Sequence, residues 1–198
     1  MSIVYAILYI IVWPFFNLVN PGRVIGKENI PEGGVLVCAN HFKLTDPLYI
    51  VFAMGLKNRM QIMAKAELMR VPVLGWLLGK AGIFGIERGK ADVGAIKHAL
   101  KVLKSNEKLL MFPEGTRAKD DDGGAAKTGA VMLALRTGAS IVPVYIPRKR
   151  KWFVPTPVII GKPYTPEVAG RRASPEEYHA IADDLMQRIR ALGEQVAA

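Results

Sequence analysis

A histidine and a carboxylate lie close together at the end of an apolar segment. His41 follows the apolar run at 35–39, and Asp46 stands a short step beyond it, directly before Pro47. A carboxylate bonded to one imidazole nitrogen fixes the tautomer and leaves the other nitrogen free to take a proton from a hydroxyl group. No serine or cysteine is obviously placed as a nucleophile, so the hydroxyl would belong to a substrate. For this pair alone, a capping aspartate beside a surface histidine is the better interpretation.

The position of the pair depends on the elements that carry it. On one continuous helix the two side chains would lie ~140° apart and would not meet. Asp46 and Pro47 instead suit the N-cap and the first residue of a helix, which leaves His41 at the carboxyl end of a strand. Ligands of α/β proteins usually bind at that end. The other histidines, His98 and His179, are interpreted as helix-surface residues.

Two more predicted strands end in charged residues. The segment FPEGTR at 112–117 makes a sharp turn that displays Glu114 and Arg117, and GIFGIERG at 82–89 ends in a glutamate followed by Arg88. An arginine grips a phosphate through two parallel hydrogen bonds. A single arginine is usually a solvated surface charge, but three polar strand ends together favour an anion-binding site.

The rest of the chain alternates between strand-like and helix-like segments. Strands are predicted near 35–39, 60–64, 83–87, 108–112, 140–146 and 154–161, and helices near 47–56, 67–79, 91–105 and 126–138. This alternation predicts a single α/β domain with a largely parallel central sheet flanked by helices. A last helix begins at Ser174, where Pro175 and Glu177 complete a capping-box pattern. The segment 118–127 is predicted to be a flexible loop.

The N-terminal segment carries no charge from residue 2 to residue 19. As a helix it would reach ~27 Å, which is marginal for a bilayer, and Pro14 would kink it. A buried first helix that covers the core is the alternative. We expect 1–20 to be a membrane anchor or an interfacial helix ahead of a domain at 21–198. Because the first basic residues follow this segment, the domain is expected at the cytoplasmic face of the cell membrane.

The chain is basic, with 27 Lys and Arg against 17 Asp and Glu and a formal net charge of +10. This excess indicates a negatively charged partner. The densest basic cluster, PRKRKW at 147–152, is followed by Phe153 and suits an anionic membrane surface or an acidic carrier protein. No nucleic-acid-binding module is recognised, so nucleic acid is not expected as a partner. The single cysteine, Cys38, cannot form an internal disulfide and is expected to be buried.

The order of four motifs resembles that of a known family. NHFKLTD at 40–46, GIFGIERG at 82–89, FPEGTR at 112–117 and IVPVYI at 141–146 are similar to the motifs of the glycerolipid acyltransferases, typified by the 1-acylglycerol-3-phosphate acyltransferases. The resemblance covers nearly the whole chain. The combination of NHxxxxD with FPEGTR in this order is highly specific, whereas either motif alone is not.

The resemblance implies a reaction and a set of site residues. A fatty acyl group would pass from acyl-CoA or acyl-carrier protein to the sn-2 hydroxyl of lysophosphatidic acid, giving phosphatidic acid without a metal or a resident cofactor. His41 would be the general base, Asp46 would orient it, and Pro143 would shape the acyl-donor side. The residues implied in binding the glycerol phosphate of the acceptor are Lys80, Arg88, Glu114, Gly115, Thr116 and Arg117.

Departures from the family pattern leave alternatives open. Glu87 replaces the commoner Asp in the second motif, a change expected to be tolerated, and Ala126 stands before Lys127 where many relatives have Phe. The acceptor could instead be glycerol 3-phosphate or another lysophospholipid. A non-catalytic lipid-binding relative is the further alternative, and the intact His-Asp pair and FPEGTR turn argue against it.

Overall fold

Seven strands form one central sheet in the computed structural model, which describes residues 3–87, 92–118, 126–168, 170 and 173–197. The strands are β1 (Gly22–Ile25), β2 (Leu36–Ala39), β3 (Met60–Lys65), β4 (Ile83–Ile86), β5 (Lys108–Met111), β6 (Ile141–Tyr145) and β7 (Thr156–Ile160). They lie in the order β1-β7-β6-β2-β5-β3-β4, and every pairing is parallel except that of β6 with β7. The prediction of a largely parallel sheet is therefore confirmed.

The central strand β2 determines which chain segments can meet. Leu36 pairs with Leu109 of β5 on one side and with Ile141 of β6 on the other. Because all three strands run in the same direction, their carboxyl ends lie at one edge of the sheet. The segments that follow β2, β5 and β6 are consequently neighbours in space although they are distant in sequence.

Helices cover both faces of this sheet. They are α1 (Ile3–Val19), α2 (Asp46–Met54), α3 (Ala66–Met69), α4 (Leu74–Lys80), α5 (Val93–Lys104), α6 (Gly129–Thr137) and α7 (Pro175–Ala197), with a 3₁₀ turn at Lys27–Asn29. The predicted capping box at the start of α7 is confirmed. The N–H of Glu177 donates to Ser174 Oγ at 3.2 Å, and the N–H of Ser174 donates to Glu177 Oε2 at 2.7 Å.

Two elements differ from the sequence prediction. The single helix predicted at 67–79 is wrong, because α3 ends before Pro72, which has no N–H to donate, and Val73 adopts a left-handed φ of 62°. Strand β1 was not predicted, and it holds the outer edge of the sheet through parallel pairing with β7. Most of the predicted loop at 118–127 lies outside the described residues.

The apolar core lies on both faces of the sheet, as the alternation along β2 requires. Val37 and Ala39 belong to a cluster that includes residues of α1 and α2, whereas Leu36 and Cys38 belong to a cluster built with α5, α6 and α7. Cys38 is fully buried, and this burial raises the pKa of its thiol. The interpretation of Cys38 as a small buried residue is confirmed.

Helix α1 packs one face on the domain. Tyr5 is buried, Tyr9 meets Phe52 edge-on at 5.1 Å between ring centroids, and Phe16 meets Tyr49 at 5.0 Å. The opposite face exposes a set of large apolar side chains, which are Ile3, Ile7, Ile10, Ile11, Trp13, Phe15 and Leu18. Within the described part of the chain, no helix has both the length and the apolar character needed to cross a membrane. The helix therefore covers the core and also leaves an apolar outer face.

Candidate active site

His41 and Asp46 form a buried pair at the carboxyl edge of the sheet. His41 Nδ1 lies 2.9 Å from Asp46 Oδ2, and both residues are buried. His41 stands just beyond the end of β2, and Asp46 is the first residue of α2. The loop between them folds the two side chains together, as the strand-to-helix interpretation of the sequence required.

The carboxylate of Asp46 also organises that loop. Its Oδ2 accepts the N–H groups of Phe42 at 2.6 Å and Lys43 at 2.7 Å. The prediction that Asp46 is the N-cap is wrong by one position, since Thr45 is the N-cap and the carboxylate turns back toward the preceding loop. Burial alone would raise the pKa of Asp46, but the hydrogen bond to His41, the charge of Arg150 and the Lys43 N–H outweigh it and lower that pKa. Asp46 is therefore ionised at neutral pH.

Contacts to its backbone and to its ring hold His41 in place. Its backbone N–H donates to Glu114 Oε2 at 3.0 Å, and its carbonyl accepts the N–H of Ala118 at 2.8 Å. The ring of Phe112 stacks on the imidazole at 4.1 Å between centroids. No described residue bonds to Nε2, the nitrogen opposite the one that Asp46 holds. The imidazole is thus fixed in place with one nitrogen available for proton transfer.

Asn40 ties the catalytic loop, which is the segment 40–46 that carries His41 and Asp46, to the end of β6. Its side-chain amide donates to the carbonyl of Ile146 at 2.7 Å, and its Oδ1 accepts the N–H of Ile146 at 2.9 Å. These buried groups need hydrogen-bond partners because water does not reach them. The two hydrogen bonds supply those partners at the point where the pairing of β2 with β6 ends. The apolar-run analysis gave no role to Asn40, because its partner lies 106 residues away.

Glu114 supports the backbone of His41. The residue is 3% exposed, and burial raises its pKa to about 7; the bond from the His41 N–H opposes this shift and the charge of Asp46 adds to it. A buried carboxylate that already accepts a backbone N–H is poorly suited to hold an anion. The implied role of Glu114 in binding the glycerol phosphate stays a prediction, and the geometry favours a structural role.

The other residues implied in acceptor binding are placed differently. Gly115 takes a left-handed φ of 69° in the turn, and Thr116 and Arg117 are exposed directly before Ala118, the residue that bonds to the His41 carbonyl. Lys80 ends α4 ahead of β4, so it lies toward the amino end of that strand and away from the edge that carries His41. These acceptor-binding roles stay predictions.

Arg88 falls outside the described residues, so its predicted role also stays a prediction. Within the described part of the chain, no group of three or more His, Cys, Asp or Glu side chains could hold a metal ion.

Arg150 is a further site residue that the sequence analysis did not single out. Its Nη2 donates to Asp46 Oδ1 at 2.6 Å, and its side chain is 5% exposed. Arg150 lies in the basic cluster at 147–152. In the sequence, an arginine that faces inward cannot be told from basic neighbours that face outward. No local signal in the sequence distinguishes it.

A cleft of about 260 Å³ opens beside the His41–Asp46 pair, the dyad of this site. Phe112, which stacks on His41, contributes to its wall. The remaining lining is largely apolar and includes Met63, Ile96, Met111, Met132 and Leu133, with Gly115 and Lys127 at the turn. Flexible methionine side chains can adapt to an apolar chain of variable shape.

Comparison with known proteins identifies the family. The model of the acyltransferase family matches residues 22–147. The chain belongs to the acyltransferase family. The segment matched contains the His41–Asp46 pair, the turn at Glu114 and the strand β6, so the family match covers the described site.

Relatives of this acyltransferase include enzymes from several bacteria. It is 31% identical to the 1-acyl-sn-glycerol-3-phosphate acyltransferase of Bacillus subtilis, over 86% of this chain and 87% of that protein. It is 32% identical to the enzyme of the same name from Borreliella burgdorferi over 66% of this chain, but spans only 53% of that protein. The lyso-ornithine lipid O-acyltransferase of Pseudomonas aeruginosa is 34% identical over 65% of this chain and 48% of that protein.

The fold is also that of a solved acyltransferase. The crystal structure of the 1-acyl-sn-glycerophosphate acyltransferase PlsC from Thermotoga maritima superposes with a TM-score of 0.66 at 27% sequence identity. The match covers 89% of this chain and 73% of that one. The α/β architecture with a mixed sheet flanked by helices is therefore shared.

Proposed function

We propose that this acyltransferase transfers a fatty acyl group from an acyl thioester to the sn-2 hydroxyl of lysophosphatidic acid, forming phosphatidic acid in phospholipid synthesis. The observation that carries the proposal is the buried His41–Asp46 pair, whose remaining imidazole nitrogen bonds to no described residue. The Bacillus subtilis relative, which this chain spans almost completely, is named for that activity. The acyl donor would be acyl-CoA or acyl-carrier protein, acting as co-substrate.

The geometry supports a direct transfer. His41 Nε2 would take the proton of the acceptor hydroxyl while its oxygen attacks the thioester carbonyl. The carbon–sulfur bond then breaks, and the imidazolium returns the proton to the departing thiolate. Asp46 stays ionised throughout and stabilises the imidazolium through Nδ1. The acceptor hydroxyl serves as the nucleophile, so the protein itself is not acylated.

Two cations suit the phosphate of the acceptor. Arg117 is exposed beside the dyad, on the turn that begins at Glu114. A Cβ built on Gly115 would lie 2.9 Å from Lys127 Nζ, so the lysine side chain crosses directly over that turn. An arginine fork and a lysine at one turn offer charge-assisted hydrogen bonds to a phosphate. The apolar cleft beside Phe112 would hold a fatty acyl chain.

An apolar and basic surface suits association with a membrane. Trp152, Phe153 and Val154 are exposed, and the N–H of Phe153 donates to the carbonyl of Val19 at 2.8 Å. This bond places the exposed side chains of Trp152 and Phe153 beside the end of α1, whose outer face is apolar. Lys149 and Lys151 are also exposed nearby and would each contribute about 1 kcal/mol at an anionic surface.

We therefore propose that α1 lies along the membrane interface, at the cytoplasmic face of the cell membrane, rather than spanning the bilayer.

The first test is transfer by wild type, His41→Gln and His98→Gln. The donors are oleoyl-CoA and oleoyl-carrier protein, and the acceptors are lysophosphatidic acid, glycerol 3-phosphate and lysophosphatidylcholine. His98 is exposed and its ring bonds to Gln61, so its replacement is a matched control. Wild type and His98→Gln should form phosphatidic acid, and His41→Gln should lose ~10²–10⁴-fold in rate with its fold intact. Near-normal transfer by folded His41→Gln would refute the proposed base.

A second acceptor class is kept because of the Pseudomonas aeruginosa relative. That protein is a lyso-ornithine lipid O-acyltransferase. Its sequence identity to this chain is similar to that of the relative named 1-acyl-sn-glycerol-3-phosphate acyltransferase from Borreliella burgdorferi. The same assay with lyso-ornithine lipid separates the two. Transfer to lyso-ornithine lipid alone would keep the chemistry and replace the acceptor. No transfer to any acceptor by folded, lipid-bound protein would favour a non-catalytic lipid-binding relative.

A further inference from the structure

The basic cluster at 147–152 divides into outward-facing and inward-facing charges. Lys149 and Lys151 are exposed, whereas the side chain of Arg150 between them is 5% exposed. A buried guanidinium is costly unless it is paired and hydrogen-bonded. The position of Arg150 must therefore be determined by its partners inside the protein.

The principal partner is the carboxylate of the dyad. Arg150 Nη2 donates to Asp46 Oδ1 at 2.6 Å, and the Asp46 side chain is only 1% exposed. The other oxygen, Oδ2, serves His41 and the N–H groups of Phe42 and Lys43. The two oxygens thus have different partners. Oδ2 bonds to the imidazole and to the loop backbone, whereas Oδ1 accepts the hydrogen bond from Arg150.

Further contacts fix Arg150 in this orientation. Its guanidinium carbon lies 5.0 Å from the centroid of the Tyr49 ring, and Tyr49 stands one turn after Asp46 on α2. A guanidinium over an aromatic ring is attracted by the ring quadrupole. The paired hydrogen bonds between Asn40 and Ile146 fasten the start of the same segment. The chain from Ile146 to Arg150 is therefore docked on the catalytic loop at both ends.

We propose that Arg150 is a positioning residue of the acyltransferase dyad, acting through Asp46. Its charge compensates the buried carboxylate, and its bond to Oδ1 fixes the plane in which Oδ2 meets His41 Nδ1. Arg150 does not touch the reacting atoms. This inference rests on the proposed function of the dyad as a proton-transfer pair, and it assigns to Arg150 a role different from that of its membrane-facing neighbours.

The charges around Asp46 determine how the pair responds to pH. His41 faces it from the end of β2, Glu114 from the end of β5, and Arg150 from the segment after β6. Arg150 is one of the causes that hold the pKa of Asp46 below its ordinary value. Removing this positive charge favours protonation of the coupled pair, so the acidic limb of the rate profile must move to higher pH.

Two variants of Arg150 are decisive. Arg150→Met keeps much of the side-chain length but removes the positive charge. Arg150→Lys keeps the positive charge but removes the planar guanidinium group. Lys149→Met removes a neighbouring exposed charge and is the matched control. The variants are compared with wild type in kcat and KM over a range of pH with lysophosphatidic acid and oleoyl-CoA. Binding to phosphatidylglycerol vesicles and unfolding in urea are measured in parallel.

The expected results separate positioning from membrane binding. Arg150→Met should lose about tenfold or more in kcat at nearly constant KM, with the acidic limb shifted to higher pH. Arg150→Lys should have a kcat between those of Arg150→Met and wild type, with the acidic limb of its rate profile at the wild-type pH. Lys149→Met should bind vesicles more weakly and leave the acidic limb of the rate profile at its wild-type pH. A folded Arg150→Met with wild-type kcat and an unmoved limb overturns the proposal.

If Arg150→Met does not fold, Arg150→Lys decides the matter. A folded lysine variant should show reduced kcat at unchanged KM, and wild-type kcat in that variant would refute a positioning role for the guanidinium fork.

A readout without turnover distinguishes failure of this inference from failure of the proposed function. The ring resonances of His41 are followed by NMR against pH in wild type, Arg150→Lys and Lys149→Met. Because the lysine ammonium cannot reproduce the guanidinium bond that orients the Asp46 carboxylate, coupling through Asp46 predicts an altered His41 ring environment in Arg150→Lys and none in Lys149→Met. Identical spectra in all three would overturn the inference even if the enzyme proved to use another acceptor or none.

Discussion

Replacing Glu114 with glutamine should make the stability of the protein less dependent on pH. Burial raises the pKa of Glu114 to about 7 from its ordinary 4.5. Folding therefore favours the protonated carboxyl. The stability that this preference contributes is fully present below the unfolded pKa and is lost as the pH rises through the folded pKa. Glutamine has nearly the same shape and can still accept the N–H of His41, but it cannot ionise.

The size of the effect follows from the two pKa values. At about 1.4 kcal/mol per pH unit, the difference between 4.5 and about 7 corresponds to about 3 kcal/mol over the full titration. Most of this range lies between roughly pH 5 and pH 8, where the free energy of unfolding of wild type should fall by about 2 to 3 kcal/mol relative to Glu114→Gln. Any cost of burying the glutamine amide does not depend on pH, so it cancels in this comparison.

The assay is urea unfolding of wild type, Glu114→Gln and Glu28→Gln in mild detergent at both pH values. Glu28 is exposed, so its replacement controls for the loss of one acid at the surface. The free energy of unfolding should diverge with pH between wild type and Glu114→Gln, while Glu28→Gln follows wild type. Parallel curves for wild type and Glu114→Gln would refute the argument that burial keeps this carboxyl protonated into the neutral range.

Two further predictions concern the sheet edge and the acceptor. Gly26→Ala should destabilise the domain by about 1–3 kcal/mol more than Gly138→Ala, because both glycines have a left-handed φ but only a Cβ at Gly26 overlaps the carbonyl of Ile160. Equal shifts in the urea midpoint would contradict the overlap. Arg117→Gln should raise KM for lysophosphatidic acid about tenfold, with little change for lyso-ornithine lipid if that acceptor is used. Equal losses with both acceptors would exclude phosphate binding by Arg117.

Much of the fold could be predicted from local patterns. The strands β2 to β7 and the capping box of α7 were predicted because apolar periodicity and capping chemistry act over a few residues. The break between α3 and α4 was missed although Pro72 was visible, because the apolar pattern continues through it. Strand β1 was missed because a four-residue edge strand obtains its hydrogen bonds from β7, far along the chain.

The chemistry available to this protein can be read from short segments of its sequence. The His-Asp spacing, the turn at 112–117 and their order along the chain identify an acyltransferase, and a helix beginning at the aspartate leaves only a short loop to join the pair. These signals can be recognised in the sequence without knowledge of the fold. The four-motif order also identifies the family that the comparison then showed.

The groups that surround the dyad come together only through the packing of the strands. Arg150 meets Asp46 across 104 residues, and Glu114 meets the His41 backbone across 73. These contacts exist because β6 and β5 flank β2 in the sheet, an order that no local pattern specifies. Burial at that edge excludes water, and in the absence of water a charge is governed by its nearest partners. The same arginine and glutamate on an exposed loop would be ordinary solvated ions.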